Sequence, residues 1–353
     1  MPQSLLPKTR EPAASSVNAG FEYRDRIGRE DADATVLEFL ARRYHHSSEA
    51  EWRERIAAGQ VFLVGPGGTG RRGETGGWCG QGRPGALEAQ AGPGDVLPPG
   101  ATLLWRRPPW REEAVPLAFA VLFCDEHLLA VAKPRGLPSV PNGGFLTHTL
   151  LHIVRRAFPT ASPLHRLGRG TSGLVLFALT DEARRVVSRA WREGQVDKVY
   201  RALVRGVPSR ESFTVEAAIG RVPHPRLGDV YAATPGDPRG KPSSSHVRVL
   251  ASRRDQAVVE VRIPTGRPHQ IRIHLAFAGH PLVGDPLYGP GGQPLPEPGL
   301  PGDGGYRLHA WKLGLRHPLT GAPVELECAP PEPLRPGGPQ DLSVSSSEAS
   351  GQG

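Results

Sequence analysis

Cysteine, aromatic residues and long apolar runs are all scarce in this chain of 353 residues. The three cysteines, Cys79, Cys124 and Cys328, lie far apart, which excludes a disulfide framework and a four-cysteine zinc site. No window approaches the roughly 18 uninterrupted apolar residues of a membrane span, which excludes one. Aromatic residues make up 6% and hydrophobic residues 38% of the chain. The chain can therefore bury a core, but sizeable stretches must be loop or linker.

Glycine and proline are abundant instead, with 44 and 38 residues. The 43 basic side chains outnumber the 35 acidic ones, which gives a net charge of +8 and a pI near 9.8. Such a charge suits a polyanionic partner such as RNA. It is equally typical of a GC-rich genome that favours arginine, glycine, proline and alanine, so composition alone does not decide between the two explanations.

The composition changes along the chain and divides it into four parts. We expect a flexible arm at 1–30, a small module at 31–112 with a Gly/Pro-rich insertion at 65–100, a larger domain at 116–331 and a disordered tail at 332–353. The arm is poor in acids, which leaves a transit peptide open as an alternative, although the amphipathic Arg-rich helix of such a peptide is missing. The expected compartment is the cytoplasm, or a chloroplast or mitochondrion if the arm is a transit peptide.

The small module shows two helix starts. Thr35 is placed to cap a helix with Val36, Phe39 and Leu40 on one face, and Ser48 with Glu51 forms a capping box for a second helix. A strand is expected to follow at 60–64, and order is expected to return at 94–97 and 102–110. Two helices, a turn and a strand rich in arginine resemble the S-four-like RNA-binding module over about 75 residues. The resemblance implies RNA contacts by Arg53 and Arg55; the alternative is a small helical cap with a solvated charged face.

The larger domain alternates short apolar runs with turns. The pattern predicts a hairpin across 121–132, a central strand at 174–179, a helix capped by Asp181 that runs to about 193, strands at 198–204 and 258–263, and a surface loop at 286–305. We therefore expect an α+β fold around a mixed, largely antiparallel sheet.

Four segments of this domain carry its chemistry. They are Leu128–Pro138 with a Lys-Pro pair, Leu164–Leu174 with the sequence His-Arg-Leu-Gly-Arg-Gly-Thr-Ser-Gly, the Lys-Val-Tyr of 198–200, and Gly266–His274 followed by Gly279–Gly289. In order and spacing they resemble the RluA-type pseudouridine synthase family, and 308–310 with 317–321 matches its closing hairpin. The resemblance spans about 210 residues.

The resemblance implies a cofactor-free reaction on RNA, either tRNA or rRNA, by a monomer. The glycosidic bond of a uridine is cut, the uracil turns, and its carbon 5 is joined to the ribose. In this family the loop arginine, here Arg166, fills the gap left by the flipped base, and Tyr200 stacks on the uracil. Arg272 is implied to stand beside the catalytic carboxylate. Further RNA contacts are implied for the following residues: Lys133, His165, Arg169, Thr171 and Arg267.

One position departs from the family pattern, because Gly168 stands where the catalytic aspartate belongs. The chemistry needs an ionised carboxylate at the sugar. Asp181 is expected roughly 20 Å away at the far end of a strand, Asp285 is expected to cap a turn, and Asp125 and Asp197 have no spacing that places them beside Arg272.

Three interpretations stay open: a synthase with another acid or a substrate group, a variant with weak activity, or a non-catalytic RNA-binding homologue. The glycine loop also resembles that of a plant and algal subgroup of RNA pseudouridine synthases, which favours the enzyme.

Two other sequence features, a GxGxxG motif and the histidines, do not support a binding site. Residues 168–173 read GxGxxG, but a dinucleotide-binding loop needs a strand before it and a helix after it, and here a strand is expected to follow. No dinucleotide cofactor is therefore expected. His45 and His46 diverge on a helix, and His269 and His274 lack an acid or a cysteine to complete a metal site. The last two are interpreted as a loop histidine that contacts arginine and a helix-surface histidine.

Overall fold

The structure, a computed structural model, describes residues 16–44, 47–65, 87–299, 303 and 305–337. The described residues divide into two compact units, one within Val17–Arg111 and the other formed by Ser16 and the described residues from Glu112 onward. No helix in the described ranges is long and apolar enough to cross a membrane. Cys79, His45 and His46 lie outside the described residues.

The smaller unit is a four-stranded antiparallel sheet with two helices. Its elements are β1 (Phe21–Arg26), α1 (Val36–Arg43), α2 (Glu49–Ala57), β2 (Val61–Gly65), β3 (Leu87–Gln90) and β4 (Thr102–Arg107). The strand order is β1-β4-β2-β3. Thr35 and Ser48 cap the helices as predicted, each in a full capping box. Trp52 is fully buried at the centre of the core.

Two expectations for this unit were wrong. Residues 21–26 belong to β1, not to a flexible arm, because β1 pairs with β4 along its whole length. The sequence pattern did not indicate β1, because several of its side chains are charged. Glu22, for example, pairs with Arg106 across the sheet at 2.8 Å. The expected insertion at 65–100 is structured already from residue 87, where β3 begins. The predicted return of order at 94–97 is confirmed, since Leu97 is buried. Residues 66–86 lie outside the described part.

The larger unit is built on a ten-stranded sheet. Its strands are β5 (Ala120–Cys124), β6 (Leu128–Lys133), β7 (Ser162–Pro163), β8 (Ser172–Ala178), β9 (Asp197–Arg205), β10 (Ser212–Glu216), β13 (Ser244–Arg253), β14 (Gln256–Arg262), β15 (Leu308–Arg316) and β16 (Pro323–Glu327). The strands β11 (Ile219–His224) and β12 (Gly228–Ala233) form a separate ribbon, and the helices are α3 (Leu150–Ala157), α4 (Asp181–Arg192) and α5 (Gln270–Phe277). The main path runs β10-β13-β14-β9-β15-β8-β6-β5. β8 and β15 are parallel and the other pairs are antiparallel, which confirms the predicted α+β fold with a mixed, largely antiparallel sheet.

Strand β8 is the buried centre of one half of the sheet. Leu174 and Leu176 face Ala183 and Val187 of α4, whereas the alternate side chains of β8 face α3. The predicted strand and helix are thus confirmed, but the helix cap is Thr180, whose side chain accepts from the Ala183 amide. Asp181 is instead the first helical residue, since Thr180 has the extended backbone that a cap requires.

A glycine lets β8 and β15 come together. Gly173 has φ +110°, and a Cβ there would lie 2.2 Å from the Ala310 carbonyl oxygen. This close approach fixes the loop 164–171, which leads into β8, beside β15.

The tail expected at 332–353 was wrong for its first residues. Glu332–Leu334 form a 3-10 turn, and Leu334 is buried against Leu203 and Val258. Residues 338–353 lie outside the described part.

Candidate active site

Hydrogen bonds to the protein interior hold the loop 164–171 in place, and the opposite side of the loop is exposed to solvent. The Ser139 hydroxyl donates to the Leu167 carbonyl at 2.8 Å and accepts from the Leu167 amide at 3.1 Å. Arg166 and Gly168, on either side of the buried Leu167, are exposed. The loop therefore presents Arg166 on a fixed backbone, as an arginine that enters an RNA helix would need.

His165 points into the protein. Its Nε2 accepts from the Leu176 amide at 3.0 Å, and its ring stacks on Trp191 at 4.6 Å between centroids. Burial, with a smaller effect of the Lys198 charge, lowers the pKa of His165 to about 3. The ring is thus a neutral acceptor that ties the loop to β8, and its contact with RNA stays a prediction.

The space beside Gly168 is occupied by a tyrosine. A Cβ at Gly168 would lie 2.8 Å from Tyr306 Oη and 3.7 Å from Thr171 Oγ1. Tyr306 is 2% exposed, and its hydroxyl shares a 3.2 Å hydrogen bond with Thr171. A larger residue at 168 would therefore have to displace the Tyr306 hydroxyl.

Arg272 has a carboxylate partner after all. Its Nε donates to Oδ2 of Asp285 and its Nη2 to Oδ1, both at 2.7 Å, and the two side chains are 3% and 1% exposed. Burial lowers the pKa of Arg272, but the hydrogen bonds and charge of Asp285 outweigh that effect and raise it. This bidentate geometry is the strongest form of an arginine–carboxylate contact.

The same Asp285 also caps its own turn. Its Oδ1 accepts from the amides of Leu287 and Tyr288 at 2.9 and 3.1 Å. The predicted capping is therefore confirmed, whereas the pairing with Arg272 was missed. A signal for it was available: an arginine in the apolar helix α5 needs a buried acid, and Asp285 is the next acid in the sequence after Arg272.

Arg272 and Gly168 are connected through Tyr306. The Arg272 guanidinium carbon lies 4.3 Å from the centroid of the Tyr306 ring, a cation–π contact. Asp285 thus holds Arg272, Arg272 lies against Tyr306, and the Tyr306 hydroxyl reaches the position of the missing side chain. Sequence reasoning missed Tyr306, because no local pattern marks it.

Tyr200 lies on the sheet close to the same loop. On β9 it pairs with Ala310 of β15, and Ala310 in turn pairs with Gly173 at the start of β8. Tyr200 is partly exposed, and burial raises the pKa of its hydroxyl to about 12. The residue is therefore a neutral aromatic surface near the loop, and its stacking on uracil stays a prediction.

Two more predicted RNA contacts hold loops together. Lys133 is 2% exposed, and its ammonium donates to the carbonyls of Pro134, Leu137 and Arg169. Burial, and to a lesser extent the charge of Arg169, lowers the pKa of Lys133 to about 7. Arg169 pairs with Glu113, and its guanidinium lies 4.8 Å from the Phe145 ring. Both side chains are committed to contacts within the protein.

The other predicted contacts are spread over both units. Arg267 is partly exposed and donates to the Pro242 carbonyl at 3.3 Å. Arg53, in the smaller unit, is exposed and 3.9 Å from Glu49, whereas Arg55 packs on Trp52 and donates to Ser47. Contact with RNA stays a prediction for these three arginines.

His269 lies just before α5 and close to the charges of Arg272 and Arg166, in line with its interpretation, whereas His274 differs from its expected role. His269 shares a 2.7 Å hydrogen bond with the Tyr288 hydroxyl. His274 is fully buried and hydrogen-bonds to Ser243 and Ser245, so its assignment to the helix surface was wrong. No group of three or more potential metal ligands occurs among the described residues. The GxGxxG loop leads into β8, as predicted, and not into a helix.

Comparisons with known proteins agree on one activity. A model of the RNA pseudouridylate synthase family matches residues 127–277. A Synechocystis protein described as an uncharacterized RNA pseudouridine synthase is 42% identical over 305 residues, which cover 85% of this chain and 96% of that protein. RNA pseudouridine synthase 5 of Arabidopsis thaliana is 33% identical over 373 residues, which cover 90% and 94%. Ribosomal large subunit pseudouridine synthase D of Nitrosomonas europaea is 37% identical over 220 residues, which cover 59% and 60%.

These matches define the chain as an RNA-modifying isomerase. It belongs to the RNA pseudouridine synthase family. The relatives are named as synthases, so the comparisons give no support to the non-catalytic alternative. Gly168, Tyr200 and Arg272 lie inside the matched range of the family model, whereas Asp285 and Tyr306 lie beyond it.

Proposed function

We propose that this chain isomerises uridine to pseudouridine in structured RNA without a carboxylate at position 168. The observation that carries the proposal is the buried pair of Arg272 and Asp285, held at 2.7 Å behind an exposed loop. An ion pair buried to this extent costs desolvation energy, and such pairs are often retained for function. The arginine that the family sets beside its carboxylate is thus kept in a charged, fixed form.

The target base has to leave its helix before the enzyme reaches its sugar. Arg166 is exposed at the tip of the anchored loop and is suited to fill the gap that the base leaves. Tyr200, an aromatic side chain on the neighbouring strand, is suited to stack on the flipped uracil. In this proposal Arg166 occupies the gap in the RNA helix and Tyr200 holds the flipped base.

The Tyr306 hydroxyl is the polar group at the position of the missing carboxylate, where it is placed to hydrogen-bond the ribose rather than to act as an ionised acid. Of the atoms around the absent Cβ of Gly168 it is the nearest, at 2.8 Å. Asp285 is less suited to that position, because its oxygens already accept from Arg272, Leu287 and Tyr288. We assign Asp285 to holding Arg272, and Tyr306 to meeting the ribose of the target.

Ribosomal RNA is the first substrate to test, because one relative is named for the large ribosomal subunit. The smaller unit supports an RNA substrate as well. It combines two capped helices with the exposed arginines Arg42, Arg43 and Arg53, which fits the proposed S-four-like module. We propose that the protein acts as a monomer in the cytoplasm, or in an organelle if 1–30 is a transit peptide.

The function is tested by mapping pseudouridines in total RNA from cells with and without the gene. We expect one or a few sites to disappear in the deletion, and the pure protein to restore them on RNA from the deletion cells. Identical maps, together with no conversion in vitro, would contradict the proposal. Light scattering of the pure protein measures its molar mass and so tests the proposed monomeric state.

A further inference from the structure

A cavity in the larger unit has Tyr306 in its lining. It has a volume of about 560 Å³ and is formed by the ends of β6 and β15 and by the segment after β16. This volume lies within the range of about 300–1,000 Å³ that is typical of small-ligand sites. All of its lining residues belong to the larger unit.

The charge of the cavity is of one sign. Three arginines line it, together with Lys133, whose pKa is about 7, and no aspartate or glutamate does: Arg135, Arg307 and Arg335. Within the described ranges neither Arg135 nor Arg307 has a carboxylate partner. Burial and the nearby charge of Arg307 lower the pKa of Arg135. Two uncompensated guanidinium groups this close destabilise each other, and a bound anion would relieve that repulsion.

The rest of the lining is mostly apolar. Phe119 and Leu308 contribute a ring and an alkyl surface, and a run of prolines at 330, 331 and 333 covers one wall. A simple anion would pair with the arginines but would leave the apolar surface exposed to water. A nucleotide uses both parts, because its phosphate pairs with guanidinium groups and its base stacks on an aromatic ring.

Tyr306 joins the cavity to the reaction site. Its carbonyl oxygen accepts from Nη2 of Arg135 at 2.5 Å, while its hydroxyl lies at the Gly168 position. Tyr306 therefore contacts Arg135 of the cavity through its backbone and the Gly168 position through its hydroxyl.

We propose that this cavity binds a nucleotide of the RNA substrate next to the target uridine, with its phosphate on Arg135 and Arg307 and its base against Phe119. The inference rests on the proposed function, since the target uridine defines which nucleotide is the neighbour. The cavity would give the enzyme a contact with the strand that does not depend on flipping the target.

The test is the salt dependence of RNA binding by the full chain. We expect R135Q/R307Q to bind the substrate RNA more weakly and to lower the slope of log K against log salt by about 1 for the lost phosphate contact. The matched control is R239Q/R248Q, which also removes two positive charges from exposed arginines with acidic partners. Equal slopes and affinities for the two double variants would overturn the proposal.

A second arm separates RNA from a free ligand. Inorganic phosphate and uridine monophosphate are titrated into the wild type and R307Q. Within the described residues the Arg307 side chain makes no hydrogen bond, and only its backbone is bonded, so R307Q serves if R135Q/R307Q fails to fold. Tight binding of either small ligand, with no change in RNA slope, would make the cavity a free-ligand site and overturn the proposal. Because binding is read without turnover, a wild type that binds with the expected slope but forms no pseudouridine contradicts the proposed function alone.

Discussion

Placing an aspartate at position 168 tests how Tyr306 fills the site. The new Cβ would lie 2.8 Å from the Tyr306 hydroxyl, which is buried and bonded to Thr171. Overpacking of this kind costs about 1–3 kcal/mol, and the lost hydrogen bond costs about 1 kcal/mol more. The Arg272 guanidinium already makes a bidentate pair with Asp285, so the added carboxylate gains no free partner there. We expect Gly168→Asp to lower the free energy of unfolding by about 2–4 kcal/mol.

The second variant removes only the obstructing atom. Tyr306→Phe loses the Oη but keeps the ring on Arg272, and we expect it to cost about 1 kcal/mol. In Gly168→Asp/Tyr306→Phe the carboxylate occupies the vacated space, so the double variant should be more stable than the sum of the single changes by about 1–2 kcal/mol. Urea unfolding of all four proteins measures this coupling. Additivity within about 0.5 kcal/mol would refute the steric explanation.

Three further predictions follow from the same contacts. Asp285→Asn leaves a buried arginine without its charge partner and should lower the free energy of unfolding in urea by about 3–5 kcal/mol. The partly exposed Asp237, which pairs with the exposed Arg239, is the control, and Asp237→Asn should cost much less. Equal costs would contradict the structural role of the pair. His165 has a folded pKa of about 3, below its unfolded value, so the native state binds fewer protons and loses stability as the pH falls through the window from about 6.5 toward 3. Between pH 7 and 5 the free energy of unfolding of the wild type should therefore fall by up to about 2 kcal/mol more than that of His165→Gln. If the two proteins lost stability in parallel with pH, the ring would have to be accessible to protons in the folded state. Tyr306→Phe should lower kcat for pseudouridine formation at least about 100-fold with RNA affinity unchanged. The control is Tyr288→Phe, which removes another buried hydroxyl near Arg272 and should change kcat only a few-fold. Similar kcat values for the two variants would contradict the role of Tyr306.

Short sequence patterns were sufficient to predict many of the helices and strands. The helices α1 and α2 follow from capping boxes that lie within four residues, and β8 follows from an apolar run that is buried on both faces. Strand β1 did not follow, because its charged residues are neutralised by a partner strand far away in the sequence. The first residues of the tail were misjudged for a related reason, since Leu334 is held by β9 and β14 rather than by its neighbours.

The site was only partly predictable. The motifs located Arg166, Tyr200 and Arg272 and showed that Gly168 is the unusual position. They could not show what fills that position, because Tyr306 and Thr171 meet across 135 residues of chain. Nor could they show that Lys133 and His165 face inward, since burial depends on loops that pack from several parts of the chain. That Gly168 marks a subgroup of the family stays a prediction.

The central claim is that this chain makes pseudouridine with glycine at position 168. The direct measurement is the conversion of uridine by the pure wild-type protein on RNA from cells that lack it, read site by site, beside Gly168→Asp/Tyr306→Phe. We predict that the wild type converts at least one specific uridine and that Tyr306→Phe, measured in the same assay, converts it at least about 100-fold more slowly. A wild type that converts nothing, with activity appearing only once the aspartate is introduced, would contradict the account.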